Sequence, residues 1–348
     1  MRIIDLRSDT FTKPNEEMWK RLRALDNSEI GDDVYGEDPT VNALEEKAAK
    51  MIGKEGALYV TSGTQGNLVS LMAHTNPDDT ILVEELSHIF QNEITSATQI
   101  ARLKVRTYSS NRGVPKLKDL SKSIEKNKKN PSPLKVICSE NTHNYHGGAI
   151  IKPETLKDIH NLAKKYELKL HLDGARIFNA AVGLDIKVTE LTKHADSIMF
   201  CLSKGLSCPV GSLVAGSKSF ISKARKYRKM VGGGMRQAGI IASFGLDALE
   251  TEWIQRLQED HKNATLLANG MRNLNLPMEI NKPDTNMVIV SIPKDLRIGK
   301  VIRILGNEGV LALPIDKQKI RFVTHFGIDK DDIEYALKKM EMILPQFF

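Results

Sequence analysis

From residue 54 onward, short apolar runs alternate with longer amphipathic stretches, and this alternation restricts the fold more than any other feature of the chain. ALYVTSG (57–63), TILVEE (80–85), KVRTYS (104–109), LKVICSE (134–140), LKLHLDG (168–174), SIMFCLS (197–203) and SLVAGS (212–217) read as strands. Between several of them lie segments such as PETLKDIHNLAKKYE (153–167), where apolar residues recur every three or four positions, the helical period. Strand, helix, strand in succession predicts an α/β domain with a largely parallel sheet flanked by helices. Crossovers in such sheets are right-handed, and ligands bind at the carboxyl ends of the strands.

The pattern changes in the last third. A long helical stretch over 238–272 follows the glycines Gly232, Gly233 and Gly234. NMVIVSIP (286–293) and KIRFVTH (319–325) then read as strands, and 329–344 as a closing helix. At 348 residues the chain exceeds what one core usually holds. The expected division is a large domain over 1–250, including an N-terminal arm, and a smaller C-terminal α+β domain over 251–348. KSIEKNKKNPSP (122–133) has the composition of a polar helix end and loop.

Charge and cysteine content narrow the function classes. The net charge of +7 is modest at this length, and much of it sits in Lys116, Lys118, Lys122, Lys126, Lys128, Lys129 and Lys135. No aromatic residues interleave with these lysines to stack on bases, so they read as a solvated surface and no nucleic-acid partner is expected. The three cysteines, Cys138, Cys201 and Cys208, form no C-x-x-C pair and suit a reducing cytoplasm. No signal peptide is read in the first residues, and no segment approaches the roughly 18 apolar residues that span a bilayer.

The most informative pair is Asp173 and Lys204. Asp173 ends the strand LKLHLD and Lys204 follows SIMFCLS, 31 positions later, a distance that fits one helical crossover. On adjacent strands, both side chains would stand at the carboxyl edge of the sheet. A pyridoxal-phosphate site needs such a pair: an amine to form a Schiff base and a carboxylate to keep the pyridinium nitrogen protonated. Taken alone, a strand-end aspartate and a distant lysine are commonplace. SGTQGN (62–67) runs from a strand into a helix, where Gly63 permits close approach of an anion, Thr64 adds a hydroxyl and the helix N-terminus offers free N–H groups. An ordinary strand-to-helix turn is the alternative. RKMVGGGMRQ (228–237) places Lys229 and Arg236 around three glycines, either as an anion site or as a basic surface loop. His88 and His143 follow strands and are candidates for stacking or proton transfer, whereas His171 alternates with apolar neighbours and reads as structural. Neither His88 nor His143 has local metal-ligand spacing, so no zinc is assigned.

Set in order, LRSDT (6–10), GDDVYGEDPTVNALE (31–45), SGTQGN (62–67), ENTHN (140–144), LDGARIFNA (172–180), CLSKGL (201–206), PVGS (209–212), GGGMRQ (232–237), QEDH (258–261) and DTNM (284–287) resemble the low-specificity threonine aldolases. The match runs from about residue 3 to beyond 325. The resemblance implies a fold-type I pyridoxal-phosphate enzyme that splits L-threonine, L-allo-threonine and related β-hydroxy amino acids into glycine and an aldehyde. It implies Lys204 as the Schiff-base lysine and Asp173 as the pyridinium partner. Gly63 and Thr64 would hold the phosphate, with Arg236 and Lys229 at the same anion site. His88 would stack on the ring and His143 would lie near the substrate hydroxyl, while Ser8, Arg176 and Arg321 would bind the substrate carboxylate. Tyr35 would help close the site from a neighbouring subunit of a homodimer or homotetramer. The base for the hydroxyl proton is left open between His143, His88 and a water they hold. One departure stands out: the resemblance leads to an aromatic or polar neighbour pattern such as His-Asn-Tyr at the stacking histidine, and this chain has His88, Ile89 and Phe90. The rival readings are another reaction of the same cofactor, such as β-elimination or racemisation, and a cofactor- or nucleic-acid-binding protein without turnover.

Overall fold

The computed structural model describes residues 2–128 and 131–348. Lys129 and Asn130, in the expected polar loop, lie outside the described residues, as does the side chain of Lys128. The other lysines of that group, Lys116, Lys118, Lys122, Lys126 and Lys135, are all exposed.

In chain order the strands are β1 (Ile4–Asp5), β2 (Gly56–Val60), β3 (Thr80–Glu84), β4 (Lys104–Tyr108), β5 (Leu134–Glu140), β6 (Lys169–Asp173), β7 (Ser197–Cys201), β8 (Ser212–Gly216), β9 (Glu279–Ile280), β10 (Met287–Ser291), β11 (Val310–Leu311), β12 (Leu313–Pro314) and β13 (Lys319–Val323). All seven strands expected between residues 57 and 217 are present, and they form one sheet in the order β2-β8-β7-β6-β5-β3-β4. β3 pairs parallel with β4 and β5, β5 with β6, and β6 with β7; only β8 runs antiparallel to its neighbours β2 and β7. β3, β7 and β8 are buried along their whole length, which is why they read as continuous apolar runs rather than alternating ones. β4 lies at the edge and carries exposed Lys104, Arg106 and Thr107, a composition that discourages pairing with another chain.

Helix starts follow from local chemistry. Pro153 opens the helix Pro153–Lys165, where its missing N–H costs nothing. Asp38 caps the helix Pro39–Ile52 by accepting from Val41 N at 2.9 Å, and its other oxygen accepts from Gly239 N at 2.7 Å. One buried carboxylate therefore ties two helix starts that are 201 residues apart.

The stretch 238–272, expected as one helix, is three: Gly239–Ala248, Thr251–Gln255 and Leu257–Asn273. Glu250 is extended (φ −78°, ψ 144°). The bend lets Trp253 donate to Leu206 O at 2.9 Å and Arg256 donate to Gly205 O at 2.8 Å. Long-range contacts thus override an unbroken helical pattern.

Two main cores result. One packs the large sheet and its helices through residues such as Leu44, Phe178, Phe200 and Leu257. The other gathers Leu267, Val288, Phe322 and Met340 with Ile4 and Leu6 from the N-terminus. There β9, β10, β13 and β12 form an antiparallel sheet, and β1 pairs parallel with β11 through Ile4↔Val310. The N-terminal arm is stitched to the C-terminal layer, which brings Ser8 and Asp9 back over the edge of the large sheet.

Candidate active site

The carboxyl ends of the parallel strands carry acids: Glu84 on β3, Glu140 on β5 and Asp173 on β6. Glu140 and Asp173 are register partners. Asp173 is 1% exposed. Its Oδ2 accepts from Asn67 Nδ2 at 2.9 Å and its Oδ1 from Ala175 N at 3.1 Å. Burial pushes its carboxyl up to about 6; Glu140 and Glu93 add to the rise, and His88 and Lys204 oppose it. A buried carboxylate in the field of two others is electrostatically incomplete and favours a cation beside it.

Asn67 is the hub of this edge. Its Nδ2 also donates to Glu93 Oε2 at 3.0 Å, and its Oδ1 lies 3.1 Å from His171 Nε2. An amide oxygen only accepts, so His171 carries its proton on Nε2. Its Nδ1 then accepts from Ser197 Oγ at 2.8 Å, and that hydroxyl accepts from His74 Nε2 at 2.7 Å. Burial holds His171 neutral, down to about 3, in keeping with a structural role.

β6 and β7 are direct parallel neighbours, so Asp173 and Lys204 do share the sheet edge. The turn after β7 holds Lys204 by its backbone: its carbonyl accepts from Thr12 Oγ1 and Ser207 N, both at 2.8 Å. Ser207 is left-handed (φ 66°). The lysine side chain lines a cavity of about 240 Å³ together with Ser8, Thr10, His88, Asn92, Glu140, Asn144, Tyr145, Ala175, Arg176, Leu313, Pro314, Ile315 and Arg321.

The opposite end of the cavity is cationic. Arg176 forks onto Asp9 with two bonds of 2.6 Å, and both side chains are at most 5% exposed. Burial would raise the Asp9 carboxyl, but Arg176 and then Lys204 hold it well below the usual range. Arg321, on β13, donates to Asn144 Oδ1 at 2.6 Å, and its Nε is buried without a partner. Burial and the neighbouring Arg176 pull the Arg321 guanidinium down to about 10, so it is still charged at neutral pH. An unpaired buried donor beside a second guanidinium favours a small anion, and a carboxylate has the matching geometry.

Of the two histidines singled out, His88 lines the cavity and His143 does not. His88 N donates to Glu140 Oε2 at 2.6 Å, and its Nε2 lies 3.4 Å from Glu93 Oε1. Burial alone would lower its pKa, but the Glu93 bond and the charges of Asp173, Glu93 and Glu140 raise it. His143 has no exposed surface; its Nε2 lies 2.9 Å from Glu84 Oε2 behind the cavity wall.

Ser8, His88, Arg176, Lys204 and Arg321 therefore converge, with Asp173 beneath them. Gly63 begins the helix Gly63–His74, and a Cβ there would stand 2.9 Å from Cys201 Sγ, so this glycine serves close packing of helix on strand. Thr64 follows in the first turn of the same helix and helps hold the Glu93 carboxyl below its usual range. Like His143, the expected site residues Arg236, Lys229 and Tyr35 stand away from this chain's own cavity. Arg236 is 63% exposed and salt-bridged to Asp32 at 2.7 Å, Lys229 lines a different surface pocket, and Tyr35 is 74% exposed on a turn. Asp9, Asn67, Glu93, Glu140, Asn144 and Tyr145 were not singled out. Asp9, Asn67, Glu140 and Asn144 lie inside the motifs LRSDT, SGTQGN and ENTHN, but only the fold shows which of those residues face the site.

These groups fit pyridoxal phosphate. Among the described residues no salt bridge reaches Asp173, Lys204 supplies an amine, His88 offers a ring on the cavity side, and the helix Gly63–His74 presents its N-terminus, where the dipole favours an anion.

The kinship agrees. Residues 5–295 match the family described as beta-eliminating lyase. A probable low-specificity L-threonine aldolase 2 of Arabidopsis thaliana is 40% identical over 99% of this chain and 98% of its own length. The low specificity L-threonine aldolase of Escherichia coli K12 is 37% identical over 95% of this chain and 96% of its own. Among solved structures, the threonine aldolase of Leishmania major superposes with a TM-score of 0.83 at 18% identity, covering 97% of this chain and 99% of that one, and shares the fold. The chain belongs to the beta-eliminating lyase family and, within it, to the low-specificity L-threonine aldolases.

Proposed function

We propose that the protein is a pyridoxal-phosphate aldehyde-lyase that cleaves the Cα–Cβ bond of L-threonine, L-allo-threonine and related β-hydroxy-α-amino acids, releasing glycine and an aldehyde. The observation that carries this is one cavity lined by Lys204 and by the guanidinium groups of Arg176 and Arg321, with the buried carboxylate of Asp173 at the same sheet edge. When bound, the cofactor withdraws electrons from the substrate Cα. Lys204 is the amine that would hold the cofactor, and Asp173 would keep its ring nitrogen protonated. Arg321, with Arg176 and Ser8, grips the substrate carboxylate and so sets which bond at Cα stands perpendicular to the ring. His88 receives the β-hydroxyl proton, because it is the histidine of the pair that lines the cavity and its raised basicity suits the task. Leu313, Pro314 and Ile315 give the departing aldehyde an apolar wall.

The test is incubation with L-threonine, L-allo-threonine and L-serine while following acetaldehyde, glycine and pyruvate. Acetaldehyde matched by glycine is expected. Pyruvate from serine without acetaldehyde from either threonine would favour β-elimination, the reading suggested by the family's description.

Further parts of the proposal rest on narrower observations. The separate cores support a division near residue 250, with residues 4–6 packed into the C-terminal core. Three buried, unpaired cysteines suit a cytoplasmic location. Among the described residues, no helix is long and apolar enough to cross a membrane. Tyr35, Lys229 and Arg236 face outward, which supports a homodimer or homotetramer in which they complete a neighbour's phosphate site.

A further inference from the structure

Behind the cavity wall, two imidazoles and a carboxylate converge without a full set of partners. Glu84, at the end of β3, is held rigidly: Leu86 N donates to its Oε2 at 2.6 Å and Ser110 Oγ to its Oε1 at 2.8 Å. His143 Nε2 stands 2.9 Å from Oε2, and His146 Nε2 stands 3.7 Å from Oε1, beyond hydrogen-bond reach. The His146 Nε2 and the His143 Nδ1 are both buried and have no hydrogen-bond partner among the described residues. The two rings lie 4.4 Å apart, and one ligand atom from each of the three residues falls within 4.8 Å of the others.

The backbone builds this juxtaposition. His143 and His146 sit on one short loop closed by Gly148 N donating to His143 O and His143 N donating to Ala149 O, both at 2.9 Å. Gly147 and Gly148 have φ of 69° and 70°, the left-handed region that glycine enters without cost, and they fold the loop back so that both rings meet Glu84. The expectation of no zinc considered only His88 and His143 and local spacing. The arrangement needs His146, three residues after His143, and a carboxylate 59 residues earlier.

We propose that Glu84, His143 and His146 form a site for one divalent transition ion of the zinc class, separate from the pyridoxal cavity. Two imidazoles with one carboxylate are the donor set of three-ligand zinc sites, which keep a fourth position for water. At Zn–N and Zn–O distances of about 2 Å, neighbouring donors stand roughly 3–3.5 Å apart, and the two imidazole nitrogens approach that spacing, each to a different oxygen of Glu84, at 2.9 and 3.7 Å. Magnesium and calcium prefer all-oxygen shells, and two imidazoles disfavour them. The hydrogen bonds from Leu86 and Ser110 are the kind of outer support that orients a ligating carboxylate. The ion would pin the loop at both histidines. Asn144, which holds Arg321 at 2.6 Å, and Tyr145, which lines the cavity, lie between those two ligands. The site is thus placed to stiffen one wall of the substrate cavity, and His143 faces the ion.

The experiment uses the holoenzyme, stripped with a chelator and titrated with Zn²⁺ and Co²⁺. Binding is read by metal analysis after desalting and by visible difference spectra, so it does not depend on which reaction the enzyme catalyses. The expected result is one ion per chain, with weak cobalt d–d bands and no sulfur-to-cobalt charge transfer, which separates this site from binding at the cysteines. His146→Ala should weaken binding by at least about tenfold. It is the variant suited to retain the fold, because the His146 side chain is 19% exposed whereas Glu84 and His143 are buried. Glu84→Gln should do the same where circular dichroism shows it folded. Absence of stoichiometric Zn²⁺ or Co²⁺ on the wild type, cobalt spectra dominated by sulfur, or unchanged binding by folded His146→Ala would each overturn the proposal.

Discussion

The two ends of the site are oppositely built: Asp173 is deeply buried at the sheet edge, whereas the far end holds two guanidinium groups, buried Arg176 and half-buried Arg321. At the sheet edge, Asp173 is crowded by Glu140 and Glu93, and among the described residues no salt bridge reaches it. At the other end, Arg176 donates to Asp9 through Nε and Nη2, whereas Arg321 keeps a buried Nε with no hydrogen-bond partner among the described residues. One end therefore awaits a cation and the other an anion, with Lys204 between them. Burial alone does not specify a site. What specifies it is where charge compensation has been left incomplete, because an uncompensated buried charge is costly until a ligand of opposite sign arrives.

The contrast can be broken at four points. Replacing the amine between the ends is expected to do most: Lys204→Ala should lower turnover by on the order of 10³-fold or more and remove the visible absorbance of lysine-bound cofactor. Full activity in that variant would end the assignment. At the compensated pair, Asp9→Ala leaves Arg176 buried and unpaired and should cost about 3–5 kcal/mol in urea unfolding. A loss near zero would mean that solvent reaches the guanidinium.

The uncompensated acid makes a prediction about pH. A carboxyl raised in the folded state stabilises fully below its unfolded value of about 3.9, and that contribution is lost as pH rises through the folded value. With Asp173 at about 6, cofactor-free protein should lose on the order of 2 kcal/mol of stability between about pH 4 and pH 6. With the cofactor's cation against Asp173, the slope should flatten. Melting curves of both forms across that range test this, and identical slopes would deny Asp173 its partner. The smallest effect is expected at the anion end. Arg321→Lys keeps the charge but loses the fork and should reduce kcat/KM by about tenfold, mostly through KM. An equal loss in kcat with KM unchanged would move Arg321 from ground-state binding to the transition state.

Much of this was legible before the fold was known, and the reasons are physical. Most strands of the main sheet were readable because strands buried on both faces, such as β3, β7 and β8, are short continuous apolar runs. The Asp173–Lys204 pairing followed from one crossover length. The division of 238–272 into three helices was not readable, because Trp253 and Arg256 bend the chain to reach Leu206 and Gly205. The two-residue strands β1 and β11 were invisible for a related reason: their pairing spans some three hundred residues and leaves no local period.

By itself the sequence determined the α/β architecture, the family and the identity of the chemical groups, since these depend on local periodicity and on residue types in order. Only the tertiary structure decided which groups face one another. It put Arg321 of β13 against Asn144, set Asp9 on Arg176, separated His88 at the cavity from His143 behind its wall, and turned Tyr35, Lys229 and Arg236 outward. Those outcomes hinge on distances of a few ångströms between residues far apart in the chain, where hydrogen bonding and charge compensation act, and no spacing along the chain records them.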